Sequence, residues 1–302
     1  MIQDKYNLIA LIEEAKPSIA PSTKKSYYYG LKRAATKGIQ QRLGMGQSTN
    51  PVSLKWLSSD AAVIKRVGKE SDTVQKTTMT ALMVISRHIF GEESKSYIAY
   101  QKRSDTLNGK IQVEQDKHIK TPTQEKNWTT IDALREHVVT LPVESQLDRD
   151  RRLIGSLYVY QPPARNDYGQ MELIDEEAEK QPDINYLVLS NGEPLHFYFQ
   201  VFKTHARYGN VTVPVTEEMR KELTTYLDGR TTGSLFDKKL TKTQVGYALA
   251  AAFKGTGKHI TINLIRHIVA SEMINVEKRV AEQVLASAMM HGSATQVTYA
   301  KA

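Results

Sequence analysis

The chain has 302 residues, 40% apolar and 25% charged, which excludes a disordered or collagen-like polypeptide and supplies about two domains' worth of sequence with at least one sizeable core. No apolar run approaches the ~18 residues of a membrane span, Met1 to Lys16 shows no signal-peptide core, and the absence of cysteine excludes a disulfide scaffold, a thiolate zinc site and a cysteine nucleophile. The formal net charge of +8 resides entirely in residues 1–125, with 20 basic and 12 acidic side chains, while residues 126–302 hold 21 of each; such an imbalance suits a polyanionic partner or a solvated surface without one.

In chain order, the front of the sequence reads as helices separated by breakers. One helix runs from Gln3 to Ala15 and stops at Pro17. A second starts near Ser22, with Tyr27, Leu31 and Ala34 on one side and Lys24, Lys25, Lys32, Arg33 and Lys37 around it. The polar stretch from Gly44 to Pro51 precedes a helix over 53–67, and a fourth over 72–90 carries Leu82, Ile85 and Ile89 at helical spacing before Gly91. Residues 1–100 are thus expected to form a basic helical bundle. Residues 101–126 have weak periodicity, six basic and four acidic residues and Pro122, which predicts an extended basic linker.

Residues 127–302 are expected to form a second domain, opening with helices over 130–140 and 148–160 that Pro162 and Pro163 end. Strand-like alternation at 186–189, 195–202 and 210–215, with Asn191-Gly192 at the first turn, predicts a three-stranded antiparallel sheet. Before it, residues 172–183 form an acidic loop with six carboxylates and one lysine, Lys180. Thr216, Thr241 with Gln244, Thr261, Asn275, and Ser293 with Gln296 are candidate starts of later helices, the last carrying Tyr299. The fold class is mainly α with a small antiparallel sheet.

Two chemistries fail on spacing. Gly255-Thr256-Gly257-Lys258 suggests a phosphate loop, but Ala252 occupies the upstream glycine position and His259 stands where Ser or Thr is needed. The eight histidines include no cluster with metal-ligand spacing, so no metal or other cofactor is expected.

The polar residues that stand out are Arg165, after the helix-ending prolines; Lys203, after an apolar strand at the mouth of a hairpin; Asn263, Arg266 and His267, on one edge of a helix that buries Leu264, Ile265, Ile268 and Val269; His291, before Gly292; and Tyr299. Singly, each has an ordinary reading: Arg165 as a bridge near a helix end, Lys203 as a solvated hairpin lysine, His267 as a satisfied core histidine, Tyr299 as one structural tyrosine among 15.

In that order the set resembles the tyrosine recombinase (phage-integrase) family, and the Pro-Pro-Ala-Arg-Asn-Asp-Tyr form is most similar to recombinases of large DNA viruses and eukaryotic mobile elements. The resemblance implies an N-terminal helical core-binding domain that grips double-stranded DNA, a linker, and a C-terminal α+β catalytic domain. It implies a site-specific recombinase or integrase acting through a 3′-phosphotyrosine without metal or nucleotide, as a dimer or tetramer on paired sites. The location would be intracellular and DNA-associated, in the cytoplasm or a host nucleus, with no membrane partner. Arg165 and Arg266 would hold the charge of the phosphorane-like transition state, Lys203 would protonate the departing 5′ oxygen, His267 would serve as base, His291 would donate to the phosphate, and Tyr299 would attack. Two other readings are a type IB topoisomerase-like relaxing enzyme and a DNA-binding protein that has lost catalysis.

Three positions depart from the family pattern. Asn263 stands in place of the first histidine and can hydrogen-bond a phosphate but cannot transfer a proton. Tyr168 occupies the place of the acidic residue after the first arginine, with Asp167 beside it. Glycine follows His291 rather than preceding it, and the interval to Tyr299 is short. The three residues after Tyr299 are too few for a helix exchanged between protomers, so assembly is expected to use other surfaces.

Overall fold

The structure is a computed structural model whose described residues are 5–273. The chain divides into two compact units, Met1–Ile119 and Lys120–Ala302. It is mainly helical with a small mixed sheet, and no described helix is long and apolar enough to cross a membrane.

The first unit contains α1 (Leu8–Ala15), α2 (Pro21–Ala34), α3 (Lys37–Leu43), α4 (Asp60–Val67), α5 (Asp72–Phe90) and α6 (Lys95–Asp116). Asn7 caps α1, its Oδ1 accepting from the backbone N–H groups of Ile9 and Ala10, and Pro21 opens α2 in the first turn, where its missing N–H costs nothing. α5 is the central helix. Its Met79, Leu82 and Ile85 share one buried cluster with Tyr28 and Leu31 of α2 and with Tyr100 and Leu107 of α6. Close approach of α2 and α5 depends on Gly30, where a Cβ would come 3.2 Å from that of Ala81.

Three expectations change here. The helix predicted over 53–67 is a 3-10 turn at Lys55–Ser58 followed by α4, because Trp56 and Leu57 turn inward before the chain restarts. α3 is a separate helix in the stretch between the second predicted helix and Gly44, to which the sequence assigns no element. The extended linker over 101–126 is not extended: α6 continues to Asp116 and a further helix occupies Pro122–Asn127. α6 buries Tyr100, Ser104 and Leu107, an i, i+4, i+7 face in which one member is a serine, so the apolar period is weak.

The second unit contains α7 (Pro122–Asn127), α8 (Ile131–Val139), α9 (Gln146–Val159), α10 (His205–Tyr208), α11 (Glu217–Leu227), α12 (Lys242–Ala252) and α13 (Ile262–Met273) around one sheet. The strands are β1 (Glu172–Asp175), β2 (Tyr186–Ser190), β3 (Glu193–Phe199), β4 (Val211–Pro214) and β5 (Gly233–Ser234), in spatial order β4-β3-β2-β1-β5. The expected antiparallel hairpins β2-β3-β4 are present, but β1 pairs parallel with β2, so the sheet is mixed and five-stranded. β1 lies inside the stretch read as an acidic loop, where Leu173 is buried while the carboxylate of Asp175 remains in solvent. α9 lies in the core, with Leu153, Ile154, Leu157 and Tyr158 all buried. Thr241 and Gln244 form the predicted capping box on α12, and Thr216 and Thr261 receive the N–H groups of Met219 and Leu264 at the starts of α11 and α13. The helix starts predicted at Asn275 and Ser293 lie outside the described residues.

Candidate functional site

Arg165 lies in the loop that leaves α9, on the exposed side of the chain. Pro162 and Pro163 stop the helix, and the Tyr158 hydroxyl donates to the Arg165 carbonyl at 2.6 Å, which holds the backbone while the guanidinium reaches solvent. Burial pushes the Tyr158 phenol well above its usual range, with Tyr168 and Asp167 adding to the rise and Arg266 opposing it, so it remains a protonated donor.

Lys203 is exposed in the turn after β3. The sequence suggests a strand through Phe202, but β3 ends at Phe199 because the next two N–H groups, of Gln200 and Val201, donate to the side-chain oxygen of Asn185 at 2.9 and 2.8 Å rather than to a neighbouring strand. The turn then holds the single-turn helix α10 before β4 begins.

α13 presents the third group. Ile262, Leu264, Ile265 and Ile268 are buried, Asn263 and His267 are exposed, and Arg266 lies between the two classes. The Arg266 guanidinium donates to the Pro163 carbonyl at 2.8 Å, which brings it to the loop of Arg165. Arg165, Lys203, Asn263 and His267 make no side-chain hydrogen bond or ion pair to a described residue, so their polar groups are available to a ligand. Beside Arg165 a recess of about 280 Å³ is walled by Pro163, Phe199, Phe202 and Val213, with Asp167 also reaching it.

The structure therefore ties Arg266 to the backbone of the Arg165 loop through the Pro163 carbonyl and ties the turn before Lys203 to the same loop through Asn185, whose amide nitrogen lies 3.4 Å from the Asp167 carbonyl. Asn263 and His267 share the exposed side of α13. His291 and Tyr299 lie outside the described residues. Asp167, the carboxylate nearest the arginines in sequence, has a buried side chain paired with Lys242 at 3.3 Å, and no ion pair joins it to Arg165 or Arg266. Tyr168, in the place where the family pattern has an acid, is wholly buried against Phe197 and Phe199 and belongs to the core.

Sequence reasoning passes over Asn185 and Tyr158. Neither belongs to a motif, and their partners lie 7 to 18 residues away; an asparagine just before an apolar strand was the one available signal.

The segment Gly255 to Lys258 has a structural explanation that needs no phosphate. Gly255 lies against His137, where a Cβ would come within 2.9 Å of the ring; Gly257 turns the chain at φ +70°; and Lys258 Nζ donates to the Trp128 carbonyl at 2.5 Å. His259 is fixed by its N–H, which donates to Asn127 Oδ1 at 2.7 Å. Among the described residues no group of three or more potential metal ligands converges.

Compared with known proteins, the chain matches no family model, no curated protein and no solved structure.

Proposed function

We propose that this protein is a site-specific DNA recombinase or integrase of the tyrosine recombinase kind, which cuts and rejoins strands through a 3′-phosphotyrosine. On this reading the helical unit is the core-binding domain and the mixed unit the catalytic domain. The observation that carries the reading is the hydrogen bond from Arg266 to the Pro163 carbonyl, because it brings a guanidinium from a distant part of the chain to the loop that carries the exposed Arg165. Paired guanidinium forks suit the non-bridging oxygens of a phosphodiester as negative charge builds on them.

Each remaining group has a task. Tyr299 attacks phosphorus, His267 accepts the phenolic proton, Lys203 gives a proton to the 5′ oxygen as it departs, and Asn263 and His291 donate to the phosphate. The phosphotyrosine conserves the energy of the broken linkage, so rejoining needs no nucleotide. Two or four protomers act on paired duplex sites, and the protein is DNA-associated inside the cell, in the cytoplasm or a host nucleus. Asn263 favours one rival, a DNA-binding protein that has lost catalysis, since it removes a proton-transferring group from the helix that carries Arg266.

The test is a covalent adduct. Incubated with nicked duplex selected for binding, the protein is expected to remain attached to a 3′ phosphate after denaturation. Tyr299→Phe is expected to abolish the adduct and leave binding intact. Binding without an adduct from the unaltered protein favours the lapsed enzyme, and an adduct that survives Tyr299→Phe removes this tyrosine as nucleophile.

A further inference from the structure

Asn185 directs its entire side chain to the main chain of two other segments. It is 7% exposed and stands immediately before β2. Its oxygen accepts from Gln200 and Val201 as described, and its nitrogen donates to the Val201 carbonyl at 3.0 Å and to the Asp167 carbonyl at 3.4 Å. An amide offers two donors and two acceptor sites, and all four are used. Two bonds to backbone N–H groups would suffice to end a strand. The additional donation to Asp167 links the turn two residues before Lys203 to the loop two residues after Arg165. Tyr158 and Arg266 hold that same loop through the carbonyls of Arg165 and Pro163.

We infer that Asn185 is a positioning residue that sets the place of the Lys203 ammonium relative to Arg165. The inference rests on the DNA-cleavage reading above. In that reaction the Tyr299 oxygen forms a bond to phosphorus as the bond from phosphorus to the 5′ oxygen breaks. The phenolic proton passes to His267, and the 5′ oxygen takes a proton from Lys203, which is left as a neutral amine. With the Asn185 link broken, the arginines still hold the phosphate while the proton donor is displaced.

The experiment compares two duplexes of one sequence, selected for binding to the unaltered protein. One has the ordinary bridging 5′ oxygen at the cleaved phosphate, and the other has sulfur there. A thiolate is a far weaker base than an alkoxide and departs with little need of a proton. Asn185→Asp keeps the accepting oxygen and loses the donating nitrogen. Asn185→Ser is the second variant, because the adjoining polar cavity of about 120 Å³, which Asp167 and Val201 also line, admits water to the freed groups if the aspartate does not fold.

The folded variant is expected to cleave the oxygen duplex about 100-fold more slowly, as for a misplaced catalytic group, and the sulfur duplex at the rate of the unaltered protein. Lys203→Ala is expected to show the same pattern. Full activity on the oxygen duplex, or equal slowing on both, overturns the role of Asn185. Failure of the unaltered protein to cleave either duplex instead overturns the cleavage reading, and the two failures are distinct.

Discussion

Residues 1–119 carry 19 basic side chains against 11 acidic ones, whereas residues 120–302 carry 22 of each, yet the candidate site lies in the balanced unit. In the helical unit the surplus is spread over separate elements: Lys25 on α2, Lys37 at the start of α3, Lys69 after α4 and Lys102 on α6 are all exposed and have no carboxylate partner among the described residues. In the mixed unit much of the charge is paired. Arg152 holds Glu222 through two nitrogens at 2.9 and 2.8 Å, Lys242 holds Asp167, Lys221 holds Glu217, and Lys239 holds Glu172. Arg165, Lys203 and Arg266 have no such partner among the described residues, and hydrogen bonds tie Arg266 and the turn before Lys203 to the loop of Arg165. Net charge thus describes a long-range field; Arg207, Arg220 and Lys238 also have no carboxylate partner among the described residues, so what singles out the candidate site is the bond from Arg266 to the Arg165 loop.

The largest expected effect tests whether packing holds that site. A Cβ on Gly169 would lie 2.5 Å from both the Leu240 carbonyl oxygen and a Val245 methyl, and the Gly169 carbonyl accepts from Leu240 N at 2.7 Å. Gly169→Ala is expected to cost about 3 kcal/mol, at the upper end of overpacking, read as a lower denaturant midpoint. An unchanged midpoint would break the claim that the Arg165 loop is locked against the segment leading into α12.

A smaller effect separates the two ways of using charge. Replacing Lys25, Lys37 and Lys69 together by glutamine is expected to flatten the dependence of log binding constant on log salt by about 0.9 for each lysine that meets a phosphate. Lys221→Gln, at a lysine already paired with Glu217, is expected to leave the slope unchanged. Equal effects from the two sets would erase the contrast between the units.

The smallest effect is a pH dependence on the sheet. Burial on β3 lowers the His196 pKa, with Lys180 adding to the fall and Glu176 opposing it. The unfolded chain then binds the proton more readily than the folded one, so stability falls as pH drops through the ordinary imidazole value and levels off below the folded one. His196→Gln is expected to remove that share of the loss in thermal scans across the range, and an identical profile would show that His196 does not contribute.

How much of this was legible in the sequence varied with the distance between partners. α5 is legible because Leu82 and Ile85 are buried at helical spacing and Gly91, at φ +83°, stops the chain. The α12 capping box is legible because its two members are three residues apart. β1 is hidden because acidic residues flank its buried leucine and its partner is a parallel strand reached through the 176–185 stretch. In the site, residue types and the exposed edge of α13 were readable. The links through Asn185 and the Pro163 carbonyl were not, since a backbone acceptor leaves no mark on composition.

Arg266 has one corner of its guanidinium engaged before any ligand is present. A freely rotating arginine carries roughly 2 kcal/mol of rotamer entropy, which immobilisation removes. The tether surrenders part of that freedom when the chain folds, so on the proposed reading the remaining N–H groups would engage an arriving oxyanion with less disorder left to lose. A lysine here could donate to both the carbonyl and an anion but would lack the planar fork that meets two oxygens of one anion side by side.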